Sequence, residues 1–579
     1  MILQALKSYY DRKAQDPDCQ IAPPGFEWKG IPFIIVLDPE GHLVQIEDTR
    51  TIEGKRKIPK SYLVPQGEKR TSGVKPYRLW DNAEYVFSVG GAIEKQKAFI
   101  SRLDDFLKWE DLGLLAMKKF LSGNPVEQAT NSDAWAEIEE TKPWIAFRLQ
   151  GETELICQRL KVIEALRSEL SDSEGCQPMV CLMTGNKSPA NRIQPSIKGV
   201  RNSNTTGADI VSFNLRAFES YGKEGRQGEN APISEPAAFA YTTALNHLLR
   251  RDSPQKIQVG DATTVFWAEK NNTMETIFQE IFGEHHKDNP DEKTKAVADL
   301  YRSMQNGAFV TDSDPTKFYI LGLSPNAARL SIRFWHVATV SELSKSIRKH
   351  FLDLEIVHPP WETRFIPLCR LLKSIAIQGK EENIPPDLAG DIMRSILSGG
   401  PYPELLLQSA VRRVRGPKEK TDANSKEKTD ANSMEYFRAA LIKACINRRS
   451  KKEELTVSLD ESNTHPAYRL GRLFAVLERI QERASPNINA TIRDRFYGAA
   501  SSTPGTVFPT LLKLKNHHIS KLENKGEAVN FEKLVGAIMI DVDEFPFQLT
   551  LQDQGRFAIG YYHQRQAMFT KSNNHEKGE

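Results

Sequence analysis

Cysteine is scarce in this chain: six in 579 residues (Cys19, Cys157, Cys176, Cys181, Cys369 and Cys445), with no CxxC pair. That argues against a zinc ribbon and against a disulfide framework, and fits a reducing compartment. Long apolar runs are also missing. Ile31–Leu37 and Leu534–Ile540 are strand-length, far short of the roughly 20 residues that span a bilayer. The N-terminal MILQALKSYYDRK carries its charge after its apolar residues, opposite to a secretory signal. The expectation is a soluble cytoplasmic protein with no membrane partner. Net charge is only +3 with 26% charged residues, so any case for a polyanionic partner must rest on local clusters.

Catalytic constellations are absent too. VCLMTGNKS (Val180–Ser188) invites comparison with a P-loop, but Asn186 separates Gly185 from Lys187 and no earlier glycine is correctly spaced, so successive amides cannot wrap phosphates. His285–His286 and His517–His518 are adjacent, point in different directions on a helix and lack a carboxylate at ligand spacing. No G-x-S-x-G elbow occurs, and Glu139–Glu140 and Asp104–Asp105 are neighbours on polar faces. The expectation is a chain that is not an enzyme, without cofactor or metal. Its rivals are a nucleotide-dependent or nuclease enzyme using Gly185–Ser188 and a scaffold whose basic loops are merely solvated.

What is present is loop chemistry suited to phosphate. Asn191–Asn246 combines glycines with Lys198, Arg201, Lys223, Arg226 and small polar residues from Asn202 to Thr206, with Lys187 and Arg192 at its entry. Backbone donors beside cations grip polyanions. From Lys55 to Arg78 there are eight basic residues against the single acid Glu68, interleaved with Tyr62 and Tyr77. Arg70, Thr71, Ser72, Lys75 and Arg78 form its candidate groove-reading tip around Gly73, and a solvated loop is the bland alternative.

Periodicity organises the rest. A first helix precedes a hairpin, IPFIIVLD and HLVQIED around Asp38–Gly41. Helices are expected over Ile93–Phe106 and Glu152–Leu170, a buried strand over Pro178–Met183, and a helix over Pro236–Arg250. Thr264–Ala268 reads as a strand, Met274–Phe282 and Thr294–Met304 as helices, and Phe318–Trp335 as a hairpin turning at Ser324–Asn326. From Val340 the pattern turns helical, including Trp361–Ile377, Leu388–Leu397 and Tyr402–Arg413. The fold class is thus an α+β N-terminal region followed by an all-α C-terminal helical bundle.

The expected domains are 1–345, with 1–100 and 101–345 as candidate lobes; a helical connector 346–417; a polar linker 418–433; and a bundle 434–579. The linker is a tandem duplication, KEKTDANS twice, unable to bury a core. Met434 follows at once. In the bundle, Arg469, Arg472, Arg479 and Arg483 share one quadrant beside the apolar stripe Leu470, Leu473, Leu477 and Ile480. That edge is either a solvated rim or a track for phosphates.

Longer strings carry a resemblance. Met1–Leu6 with Tyr9-Tyr10, Ile21–Phe26, Ser72–Lys75 with Asp81-Asn82, Ile197–Val200, Val211–Asn214, Ser220–Glu224, Asn230–Glu235, Ala240–Asn246 and Leu321–Arg329 together resemble the large subunit of the type I-C CRISPR interference complex (Cascade), the Csd-type family, essentially end to end. Members usually show His where Gln194 precedes Pro195, a Gly-Ala-Gln-Ser-Ser-Gly-like run in place of Arg201–Gly207, and a shorter connection than Gly225–Glu229. The resemblance implies a non-catalytic role in RNA-guided DNA recognition: capping the complex near the five-prime handle of a guide crRNA, reading the protospacer-adjacent motif (PAM) on double-stranded DNA, aiding R-loop formation and presenting DNA to a recruited helicase-nuclease. Implied partners include the Cascade backbone and handle-processing subunits. Such families also make a small subunit from an internal start, for which Met434 is the candidate, and its arginine edge would then hold separated strands.

Overall fold

The run Phe33–Leu37 is apolar at every position, so it can be stable only where both faces of a strand are covered. It is the buried β2 of a four-stranded sheet ordered β3-β2-β8-β7. Here β3 is Leu43–Asp48, β7 Asp81–Asn82 and β8 Trp144–Leu149. The expected β2–β3 hairpin is present, and β8 runs parallel to β2 with Phe33 opposite Ile145 and Leu37 opposite Leu149. Its turn needs Gly41, whose φ is +88° and whose missing Cβ would lie 2.6 Å from Lys119 Cβ. In this computed structural model the described residues are all but Lys55, Glu68, Lys69, Thr71, Ser72, 171–177, Tyr221, Glu224, 284–313, Thr363, 417–430, 451–453, Asn487, Asp541 and 576–579.

The chain falls into two units, Met1–Arg251 with Pro325–Leu330, and Asp252–Ser324 with Ser331–Glu579. In the first, α1 (Ile2–Ala14) is followed by β1 (Phe26–Gly30), and β1 pairs antiparallel with β6 (Ser61–Pro65) in a two-stranded ribbon. The small hairpin β4 (Thr51–Glu53) and β5 (Arg56–Ile58) lies between them in sequence. Helices α2 (Ala83–Phe87), α3 (Ile93–Asp104), α4 (Leu112–Ser122), α5 (Pro125–Ala129), α6 (Trp135–Thr141) and α7 (Leu160–Leu170) complete this part. Its core joins Ile35, Phe87, Phe99, Phe120 and Phe147. The expected helix over Glu152–Leu170 starts only at Leu160, because Leu155–Gln158 turns tightly beneath β8. The expected buried strand over Pro178–Met183 shrinks to β9, Met179–Val180, with Val180 52% exposed. Its partner is β10 (Lys187–Ser188), and α8 (Glu235–Leu248) closes the unit.

The strands β11 (Lys256–Val259), β12 (Ala262–Ala268), β13 (Lys317–Asn326) and β14 (Arg329–Thr339) form a meander that belongs to the second unit except for the hairpin tip Pro325–Leu330. The hairpin turns at Ala327-Ala328 rather than at Ser324–Asn326, which continue the strand; Ala327 takes the left-handed φ of +53°. Helix α9 (Met274–Phe282) packs on β12, while the expected helix at 294–304 lies outside the described residues. Next come α10 (Val340–Leu354), α11 (Leu368–Ile375), α12 (Pro386–Ser398) and α13 (Glu404–Arg415). The helix read over Trp361–Ile377 is confined to α11: Trp361 is 68% exposed and Pro367 caps the true start. The last part is α14 (Ala431–Arg449), α15 (Pro466–Ala484), α16 (Ile492–Ala500), α17 (Pro504–Ile519), α18 (Lys525–Met539) and α19 (Leu551–His575).

Ala431–Ser433, the end of the duplication, are helical, which corrects the linker's last three residues. Leu406 and Leu407 of α13 share one core with Tyr436, Phe437 and Leu441 of α14, so helices on both sides of the duplication are packed together. At the centre α15 and α19 cross closely. A Cβ on Gly471 would sit 2.0 Å from the Phe557 carbonyl, and one on Gly560 2.0 Å from that of Tyr468. The mixed N-terminal region and helix-rich C-terminal half match the fold class read from the sequence.

Candidate nucleic-acid interface

A loop rich in cations needs fixed ends if its tip is to meet a ligand reproducibly. The loop after β6 is held by its own aromatic and charged residues. The Arg70 guanidinium lies 3.9 Å from the Tyr77 ring centre and 4.2 Å from that of Tyr85, a double stack. Its Nη2 pairs at 2.5 Å with Asp81, which is wholly buried, and its Nε donates to the Lys75 carbonyl at 2.8 Å. Burial pushes the Asp81 carboxyl above its ordinary range, against the pull of Arg70 and of the Tyr77 and Asn82 amides. Arg70 therefore clamps the loop. Lys75 is half-buried, its amide donating to the Tyr85 hydroxyl, and Arg78 is half-buried as well. Thr71 and Ser72 lie outside the described residues. Beside them Gly73 has φ +74°, and a Cβ there would meet open space.

The second basic segment is sewn to α8. Asn246 accepts from the Lys198 amide at 2.8 Å and donates to the Ser196 carbonyl. Gly199, with φ +90°, comes so close to helix α8 that a Cβ would lie 2.6 Å from the Leu249 carbonyl. This glycine serves packing rather than exposing donors. Gln194 is buried and accepts from the Tyr241 hydroxyl. Arg192 donates to the Gln227 side chain at 2.7 Å, and the Lys223 ammonium to the Glu229 carbonyl at 2.9 Å, so both brace the same turn. Lys187 and Arg201 are exposed. Gly185–Ser188 leads into a strand, β10, not into a helix, so no helix N-terminus is aimed at a phosphate there.

Glu27 of β1 joins the two segments. One of its carboxylate oxygens accepts from the Gly67 amide at 3.0 Å, and the other pairs with the Lys198 ammonium at 3.2 Å. Sequence distance gave no hint of this junction. Cys181, buried nearby in the chain, accepts from the Ser234 amide at 3.3 Å; although burial opposes it, donation from Ser234, Thr184 and Met183 pulls its thiol down to about 6.

The four bundle arginines, in the other unit, are differently disposed. Arg469 and Arg472 are 4% and 3% exposed. Arg469 donates to the Asn463 carbonyl and to those of Ala537 and Ile538, capping the end of α18. Arg472 donates to Gln564, and burial lowers its pKa. Arg479 pairs with Glu482 at 3.2 Å, and Arg483 with Glu527 at 2.7 Å in the first turn of α18. The expected row of exposed guanidiniums is corrected at Arg469 and Arg472, which are buried: Arg469 and Arg483 tie α15 to α18, Arg472 ties it to α19, and Arg479 pairs within α15. Met434 lies in the first turn of α14, half-buried against the core.

The profile of a CRISPR-associated protein family, Cas_Csd1, matches residues 6–569. The chain belongs to this family. Among curated proteins none matches it. A Cas_Csd1 member is a CRISPR-associated component of the Cascade type. In the described residues no helix is long and apolar enough to cross a membrane.

Proposed function

We propose that this Cas_Csd1 chain is the non-catalytic large subunit of a type I-C RNA-guided surveillance complex, reading the PAM on duplex DNA and helping to open it. The observation that carries this reading is the Glu27 junction, which puts the clamped loop 66–80 and the Lys198 segment side by side in one unit. The loop's tip, with Ser72, Gly73 and Lys75, approaches base edges, while Lys187, Lys198 and Arg201 hold backbone phosphates. Cleavage belongs to a recruited helicase-nuclease. Changing Ser72 and Lys75 together to Ala in the assembled, guide-loaded complex weakens binding to a matched PAM duplex more than to one with a mutated PAM. Equal losses on both duplexes would sink the assignment.

The same gene supplies a small subunit beginning at Met434. A chain starting there keeps Met434, Tyr436, Phe437 and Leu441 of α14 in the core and the ion pair between Glu435 and Arg493 at 3.0 Å. Met434→Leu preserves the side chain's packing while removing the initiator. The expected result is loss of a short co-purifying chain that starts at this residue, with full-length protein retained. Persistence of that chain in the variant, or its absence from the wild type, rules the start out.

A further inference from the structure

Lys29 occupies an unusual position for a lysine. It lies in β1, opposite Tyr62 of β6, and its ammonium sits 4.3 Å from the Trp144 ring centre and 5.7 Å from that of Trp80. Trp80 is wholly buried, its indole N–H tied to the Pro65 carbonyl at 2.8 Å. Tyr77 stacks on Trp144 at 5.7 Å and 11°, and its ring also carries Arg70. The platform under Lys29 is thus the one that clamps the loop. Among the described residues no carboxylate pairs with this ammonium. The charged groups facing it are Lys198, Glu27, Arg70 and Asp81. Glu27 is engaged by Lys198 and the Gly67 amide, and Asp81 by Arg70.

A lysine held against indole faces without an anion, beside a second cation, lacks one ligand: an oxyanion. We infer that Lys29 and Lys198 form a phosphate site for the duplex DNA engaged by the adjoining loop, an inference that rests on the nucleic-acid reading above. Burial against the indoles, reinforced by Lys198, holds the Lys29 ammonium down at about 8 when no anion is bound. An incoming phosphate favours the charged form, so binding takes up a proton above neutrality.

The test is fluorescence anisotropy with the assembled complex and a PAM-bearing duplex, for wild type, Lys29→Met, Lys29→Arg and Lys198→Met. Wild-type affinity falls by up to about tenfold between pH 7 and 9, because near pH 9 only about one lysine in ten of pKa 8 remains charged. Lys29→Arg abolishes that pH dependence, since a guanidinium stays protonated. Lys29→Met and Lys198→Met each lower the slope of log affinity against log salt by about one, with an unchanged thermal melt. An unaltered slope in Lys29→Met overturns the site while leaving the function standing. So does an altered affinity for the guide RNA without any change toward duplex DNA. A wild-type complex that binds no duplex at all defeats both readings.

Discussion

Two basic regions that look alike in sequence are built for different tasks. Around β1 and the loop after β6, cations rest on aromatic rings, and the Lys29 ammonium has no carboxylate paired with it among the described residues. Along α15, arginines at similar density are spent on protein carbonyls and glutamates. The difference lies in what surrounds each charge. Aromatic faces attract a cation yet leave its outward hydrogens unsatisfied, whereas buried carbonyls consume the guanidinium's donors. Positive charge in a sequence reports a potential; only burial says whether it is available to a ligand.

The sharpest way to break the comparison is Arg469→Ala. It leaves the Ala537 and Ile538 carbonyls at the end of α18 without their donor in a site that is 4% exposed at Arg469. Urea unfolding should show a loss of about 2–4 kcal/mol. Arg483→Ala, whose pair with Glu527 is half exposed, should stay within about 1 kcal/mol. Equal effects would mean that α15 presents one uniform edge after all.

Acid separates the regions next. His350 hydrogen-bonds the Tyr402 hydroxyl at 2.5 Å and His563 that of Tyr468 at 2.9 Å, and burial pushes each imidazole down to about 3. Both lie in the second unit. The folded pKa is below the unfolded one, so the unfolded chain binds more protons as pH falls under about 6.5. Stability is therefore complete above that pH and is lost progressively toward 3, at about 1.4 kcal/mol per pH unit for each histidine. Thermal melts at pH 7 and 5 should show a smaller acid loss in His563→Gln than in wild type. An identical acid loss would mean that this imidazole is not held neutral.

Much of the fold was legible because local signals agreed with packing. Thr339 and Glu342 form the capping box that opens α10, and β2 is the all-apolar run that a doubly covered strand requires. Misreadings share a cause, apolar residues counted without their neighbours. The segment Trp361–Ile377 has helical periodicity, but Pro367 inside it cannot continue a helix and stands instead at the start of α11. Helical spacing places Arg469 and Arg472 on an exposed edge, rim or phosphate track, although Gly471 between them is the available sign of a close helix crossing. Around Glu27, the sequence singled out Lys198 and the loop but gave no sign of Lys29. It stands alone in a strand, and its partners Trp80 and Trp144 are distant in the chain. The clamp role of Arg70 was hidden for the same reason, since it depends on Asp81 of β7 and Tyr85 of α2 folding back against it.

The smallest expected effect sharpens the contrast from the other side. Lys187 is exposed at the start of β10 and contributes no ion pair to the fold among the described residues. Lys187→Ala should leave the urea midpoint almost untouched, within about 0.5 kcal/mol, as surface substitutions do. If the residue meets a phosphate, the same change lowers the slope of log affinity against log salt for the assembled complex by about one, equally on matched and mutated PAM duplexes. A position silent in stability and visible in salt dependence is the inverse of Arg469, where stability falls and the salt slope holds. Should Lys187→Ala leave the slope unchanged, the backbone contacts contract to the Lys29 and Lys198 pair, and the exposed lysine of β10 is solvated charge.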